Sequence, residues 1–192
     1  IEWNNTPLGN YTNRLDRAYL LDWLLDYANQ NGVYIELCLM NHGQVSTTVN
    51  PEWTWNPYSA SNGGPCTTPS EFFTNTSALS YFKQRLRYLV ARYGYSTNIM
   101  NWELFNEVDW TDNYSSDAAV RTNVQNWHSI MAAYLKNRDV NTHLVSTSFA
   151  SDTYDANTWN LSNIDFTQLH YYSTSDDMQS IHASGANNYL AL

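Results

Sequence analysis

Two rhythms alternate along the chain: apolar positions spaced by three and four, and short unbroken apolar runs. From Asp16 to Gln30, Leu20, Leu21, Leu24, Leu25 and Ala28 fall at helical spacing, and Asn31-Gly32 stops the helix. Val33 to Met40 follows as a near-continuous apolar run with β-branched and aromatic residues, which predicts a buried parallel strand. Leu79, Phe82, Leu86, Leu89, Val90 and Tyr93 then line one face of a helix from about Ser77 to Tyr93, ended by Gly94. Asn98 to Asn106 reads as a second strand. Asp117 to Asn137 reads as a third helix, with Ser115 or Ser116 as its cap. His143 to Ser148 and Asp165 to Tyr171 complete the set of strands, with a short helix near Asp155 to Asn160 between them. Helices interleaved with strands imply right-handed crossovers and a parallel sheet, so the fold class is α/β. A doubly wound sheet and part of an eight-stranded barrel both fit this order. Residues 41–69 form a long loop rich in Gly, Pro, Asn and aromatics. A loop of that length in a compact domain is usually functional or disordered.

Composition narrows the function. The 192 residues suffice for one domain with a real core, and 43% hydrophobic content makes the chain globular. With a net charge of -9 and Lys83 and Lys136 as its lysines, the chain has no basic surface for nucleic acid or an anionic membrane. No apolar run reaches the roughly 18 residues that span a bilayer. Eight Trp and 15 Tyr make the chain unusually aromatic, and flat rings stack on the apolar faces of sugars as well as on one another. Cys38 and Cys66 define no disulfide framework and form no metal-ligand cluster with the scattered histidines, so neither a metal nor a cofactor is expected. No Gly-rich phosphate loop follows any strand, which argues against nucleotide binding.

The candidate chemistry sits at strand ends. In a parallel sheet all C-terminal ends open on one side, so groups just past them converge on one pocket. His42 follows the first strand, Asn106 and Glu107 end the second, and His170, Tyr171 and Tyr172 end the fourth. Each alone is a weak signal, but equivalent placement on three strands is a stronger one. Trp53 and Trp55 in the long loop, with Trp110 just past Glu107, supply rings suited to sugar stacking.

Trp102-Glu103-Leu104-Phe105-Asn106-Glu107 resembles the fourth-strand motif of clan A glycoside hydrolases, the cellulase-like and mannanase-like, family 5-like (β/α)8 TIM barrels. The stretches Asn56-Pro57-Tyr58, Gly63-Gly64-Pro65-Cys66 and Leu86 to Gly94 resemble a cellulase-like branch of that clan. The resemblance implies that Glu107 is the general acid/base and that Asn106 holds the sugar 2-hydroxyl. It matches His42 to the His ending the family's third strand, and His170 and Tyr172 to the His-x-Tyr of its sixth. The activity implied is retaining hydrolysis of a β-linked polysaccharide, glucan or mannan, with a polysaccharide or oligosaccharide as the partner.

Laid on that family, residues 1–192 read as a single partial catalytic domain covering roughly strands three to six, without the first two strands and the last two. The family's nucleophilic Glu ends the seventh strand, and no residue here matches it. The expectation is that the missing strands come from the rest of a longer chain or from another chain, and that these residues alone are inactive. The start at Ile1 rather than Met agrees with a natural N-terminus lying upstream. Acidic, aromatic-rich composition suits a secreted or cell-surface protein. A non-catalytic carbohydrate-binding protein, or an assembly protein with a glycosidase-like fold, is the alternative. Glu103 is expected inside the barrel as a structural ion.

Overall fold

The structure, a computed structural model, describes residue 2, residues 7–150 and residues 156–170. Its helices are α1 (Leu15–Gln30), α2 (Thr76–Tyr93), α3 (Ala118–Lys136) and the single turn α4 (Ala156–Trp159). Its strands are β1 (Ile35–Cys38), β2 (Ile99–Glu103), β3 (Leu144–Ser146), β4 (Ser148–Phe149) and β5 (Gln168–Leu169). β1, β2 and β3 pair in parallel in that order, and β4 pairs in parallel with β5. Backbone bonds from Leu104 N to Ser146 O and from Ser148 N to Phe105 O join the two groups into one layer. The fold is part of a (β/α)8 barrel with parallel strands.

The third strand expected from sequence is interrupted. β3 and β4 are separated by Thr147, whose hydroxyl donates to the Phe105 carbonyl at 2.9 Å. The same carbonyl also accepts from Ser148 N, so the hydroxyl adds a second donor beside the backbone bond that resumes the ladder. A bulge at the start of the β1–β2 pairing shifts the register between Ile35 and Glu36.

Helix ends follow from capping chemistry. The Asn75 side chain accepts from the Ser77 and Ala78 amides and starts α2. α3 is capped by Asp117, which accepts from Ala119 N, rather than by Ser115 or Ser116. α2 buries Phe82, Leu86, Leu89 and Tyr93, and α3 buries Val124, Trp127, Met131 and Leu135. Between them and the sheet, Phe72, Phe73, Phe82, Phe105 and Trp127 form a ring cluster, with Phe82 and Trp127 centroids 4.9 Å apart. On α1 the leucine pattern offers two faces, and the buried seam is Ala18, Leu25 and Ala28. Leu20 and Leu24 stay exposed beside Tyr19, Trp23 and Tyr27.

The two faces of the sheet differ in kind. Leu37, Trp102 and Val145, in register across β1 to β3, face the helices. The opposite face carries Glu36, Cys38, Asn101, Glu103 and Ser146. Asn101 donates to Ser146 Oγ at 2.8 Å, and Gln168 donates to Glu36 at 2.6 Å. Glu103 is 3% exposed. Burial pushes its carboxyl above the ordinary value, and a hydrogen bond from Ser148 partly opposes the shift. Burial therefore favours its protonated form.

At the N-terminal end of the sheet, Asp139 accepts from Trp102 Nε1 at 2.9 Å and from His143 Nδ1 at 2.8 Å. His143 Nε2 faces the Ser96 carbonyl at 3.0 Å. Both of its ring nitrogens thus have a polar partner within the cluster.

The long loop is ordered. Asp112 grips it, accepting from Ser46 Oγ at 3.0 Å, Thr47 N at 2.9 Å and Thr47 Oγ1 at 2.5 Å. Gly64 lies so close to Pro57 O and the Tyr58 carbonyl that a Cβ would stand 2.3 Å from them, which excludes any side chain there.

Candidate active site

The backbone ladder between β1 and β2 continues past both strands. Asn106 N donates to Met40 O at 2.8 Å, and His42 N donates to Asn106 O at 3.1 Å. This extension brings His42 and Glu107 to the same height at the open end of the sheet. β5 reaches that height too, where His170 N donates to Phe149 O at 2.9 Å.

Glu107 is the centre of the constellation. Its backbone is left-handed, φ 54° and ψ 50°, a conformation that a residue with a long side chain rarely holds. Its amide donates to Ser148 Oγ at 3.0 Å, which ties it to β4. The carboxylate is 13% exposed, with a histidine on each oxygen. His170 Nδ1 donates to Oε1 at 2.8 Å. His42 Nδ1 stands 3.1 Å from Oε2, out of line for a good hydrogen bond. Behind His42, its Nε2 meets Asn50 Nδ2 at 3.1 Å. The arrangement is a carboxylate in reach of solvent, flanked by two imidazoles that can position it.

The remaining expected residues divide. Asn106 is half-buried beside Glu107, its backbone locked into the ladder. Trp55 and Trp110 are 53% and 44% exposed, with rings open to solvent. Trp53, at 6% exposed, belongs to the hydrophobic core and offers no open face. Tyr172 lies outside the described residues. Asp109 is engaged elsewhere, accepting from Ala150 N at 2.8 Å. Among the described residues, no group of three or more His, Cys, Asp or Glu is placed to hold a metal ion.

Three residues of the site were not anticipated. Ser148 holds the Glu107 amide, Asn50 holds His42, and Glu52 buries a carboxylate oxygen without a hydrogen-bond partner. Pro51 marked a turn after Asn50, but nothing in the pattern showed where that turn would fold.

No family model matches the chain. It is 26% identical over 176 residues to mannan endo-1,4-beta-mannosidase 4 of Solanum lycopersicum, covering 79% of this chain and 42% of the relative. It is 27% identical over 181 residues to probable mannan endo-1,4-beta-mannosidase F of Neosartorya fischeri, covering 82% and 35%. It is 30% identical over 134 residues to mannan endo-1,4-beta-mannosidase 4 of Oryza sativa subsp. japonica, covering 66% and 27%. The chain thus spans less than half the length of these relatives. Parallel strands, the Asn-Glu strand end and these likenesses together place the chain with the clan A glycoside hydrolases of the mannanase-like, family 5-like kind, as part of their (β/α)8 barrel.

Proposed function

We propose that the protein is a retaining glycoside hydrolase acting on a β-linked polysaccharide, mannan or glucan, with Glu107 as general acid/base. The observation that carries this is the Glu107 carboxylate held between His42 and His170 at the open ends of parallel strands. Retaining hydrolysis uses two carboxyl groups about 5–5.5 Å apart. One donates a proton to the leaving oxygen and later takes one from water. The other attacks the anomeric carbon. Glu107 fills the first role, and a carboxylate outside this chain fills the second. Residues 1–192 are then one partial catalytic domain, completed by barrel strands from elsewhere in a longer chain or from another chain.

Asn106 and Tyr172 are proposed to contact the sugar beside the reacting carbon, together with His42 and His170. Trp55 and Trp110 are proposed to stack on rings further along the glycan. The mannosidase relatives favour mannan among the β-linked substrates. We also propose a secreted or cell-surface protein. Among the described residues, no helix is long and apolar enough to cross a membrane.

The test is Glu107→Gln in the protein with its barrel complete, assayed on β-1,4-mannan and on an activated aryl glycoside. Loss of the general acid should cost about 10²–10⁴ in turnover on the polysaccharide. It should cost less where the leaving group needs no proton. Undiminished mannan hydrolysis would remove Glu107 from the role. Glycan binding without any turnover in the unmodified protein would favour a carbohydrate-binding barrel instead.

A further inference from the structure

We propose that Asn50 is a positioning residue that fixes the tautomer of His42, so that the ring presents Nδ1–H to Glu107. The functional meaning of this inference rests on Glu107 being the acid/base, while the tautomer itself does not.

The His42 ring is enclosed, with its side chain 10% exposed, and each of its nitrogens faces one group. Nε2 meets Asn50 Nδ2 at 3.1 Å, and Nδ1 stands 3.1 Å from Glu107 Oε2. An amide nitrogen only donates, so Nε2 must offer its lone pair. A neutral imidazole has one ring proton, and it is left to Nδ1. The other tautomer would turn a bare Nδ1 lone pair toward Oε2 and put Nε2–H against the amide hydrogens. Both contacts would then be repulsive. Nδ1 and Oε2 stand at hydrogen-bonding distance but out of line, and catalytic hydrogen bonds of this kind often tighten only when substrate binds.

The loop is built to hold Asn50 in place. Its φ of 45° is left-handed, which Asn tolerates better than most residues. Its carbonyl passes over Gly43 so closely that a Cβ there would stand 2.5 Å from Asn50 O. Glu52 N donates to Gly43 O at 2.8 Å and closes the loop on itself. Asp112 fixes the preceding turn through Ser46 and Thr47. A path of direct contacts therefore runs from the turn after β2, through the long loop, to His42 and back to the Glu107 carboxylate.

The consequence is specific to one half of the proposed cycle. When Glu107 is ionised, an Nδ1–H on Oε2 and the His170 donor on Oε1 stabilise the carboxylate from both sides. With the other tautomer, one side opposes it.

Two substitutions separate this role from a structural one. Asn50→Gly keeps the left-handed backbone and removes the amide. Asn50→Asp places an acceptor against Nε2. The readout is the ¹⁵N chemical shift of the His42 ring nitrogens, which distinguishes the two tautomers, alongside kcat and KM. The expected result is Nδ1–H in the unmodified protein, a mixed population in Asn50→Gly, and a proton on Nε2 in Asn50→Asp. Turnover should fall about tenfold or more in both, with KM little changed, as for a misplaced catalytic group. Identical His42 shifts in all three proteins would overturn the proposal, as would unchanged kcat in both variants. If Glu107→Gln keeps full activity, the functional reading fails while the shifts still decide the tautomer. If Glu107→Gln is inactive but the shifts ignore Asn50, this inference alone fails.

Discussion

The sheet carries a histidine–carboxylate cluster at each end, and the two are made of the same parts to opposite effect. At the N-terminal end, Asp139 is 3% exposed, with Trp102 and His143 on one oxygen and the Asn141 amide on the other. His143 is bonded through both ring nitrogens. At the C-terminal end, Glu107 reaches solvent, its backbone is left-handed, and one flanking histidine is out of line. Closed, saturated bonding is what a structural pair needs, because each buried polar group left unmatched is costly. Backbone strain persists only where the surroundings enforce it, and such places cluster at functional sites. The difference teaches that residue type does not distinguish a fastener from a reactive group. Access to solvent and backbone strain do.

The comparison breaks most visibly if the two carboxylates exchange consequences. Glu107→Gln should remove about two to four orders of magnitude of turnover and leave urea unfolding nearly unchanged. A large loss of stability would make Glu107 a second fastener. Asp139→Ala should do the reverse, costing about 3–5 kcal/mol in urea unfolding because Trp102 and His143 lose their buried acceptor. Activity per folded molecule should hold, and a selective loss of kcat would tie the lower cluster to catalysis. A smaller effect separates the tryptophans. Trp110→Ala should raise KM several-fold, about 1 kcal/mol of ring stacking, with kcat intact. An unchanged KM would take that ring off the glycan.

The smallest expected effect concerns Glu103, between the two ends. Its folded-state affinity for a proton is raised by burial above the ordinary value of 4.5. The stability it contributes is therefore present below that value and is lost as pH rises through the folded value. Glu103→Gln should match the parent in melting temperature near pH 4 and exceed it at pH 7. Equal melting temperatures at both would mean the carboxylate is compensated.

Much of this was legible in the residues. The period of apolar positions placed α2 and α3 to within a residue or two, because each presents a single apolar stripe to one sheet. α1 was harder, since Leu20, Leu21, Leu24 and Leu25 mark two candidate faces and only tertiary packing selects Leu25. The break at Thr147 was invisible because it falls where pairing passes from β2 to β5, which only the tertiary arrangement sets. The strand-end rule brought His42, Glu107 and His170 to one place, as the parallel topology then does. Asn50 and Ser148 escaped it, because their roles come from loop closure and strand order rather than local pattern. Trp53 and Trp55, two residues apart in the same polar loop, differ only in which side of a single turn they occupy.

The polar face of the sheet has a practical consequence for thiol chemistry. Cys38 is exposed as a residue, but its thiol donates to Met40 O at 3.1 Å and lies beside Glu103. Burial of the sulfur, with the Glu103 charge second, pushes it up to about 12. Burial and Glu71 push the Cys66 thiol up to about 12 as well. At pH 7 both sulfurs are then held as thiols, whereas alkylating reagents attack the thiolate. Maleimide labelling of the native chain will therefore be slow at both cysteines, despite the access that Cys38 offers. A fast reaction at Cys38 in the native chain would mean that its thiol is not held by Met40 O and Glu103 as described.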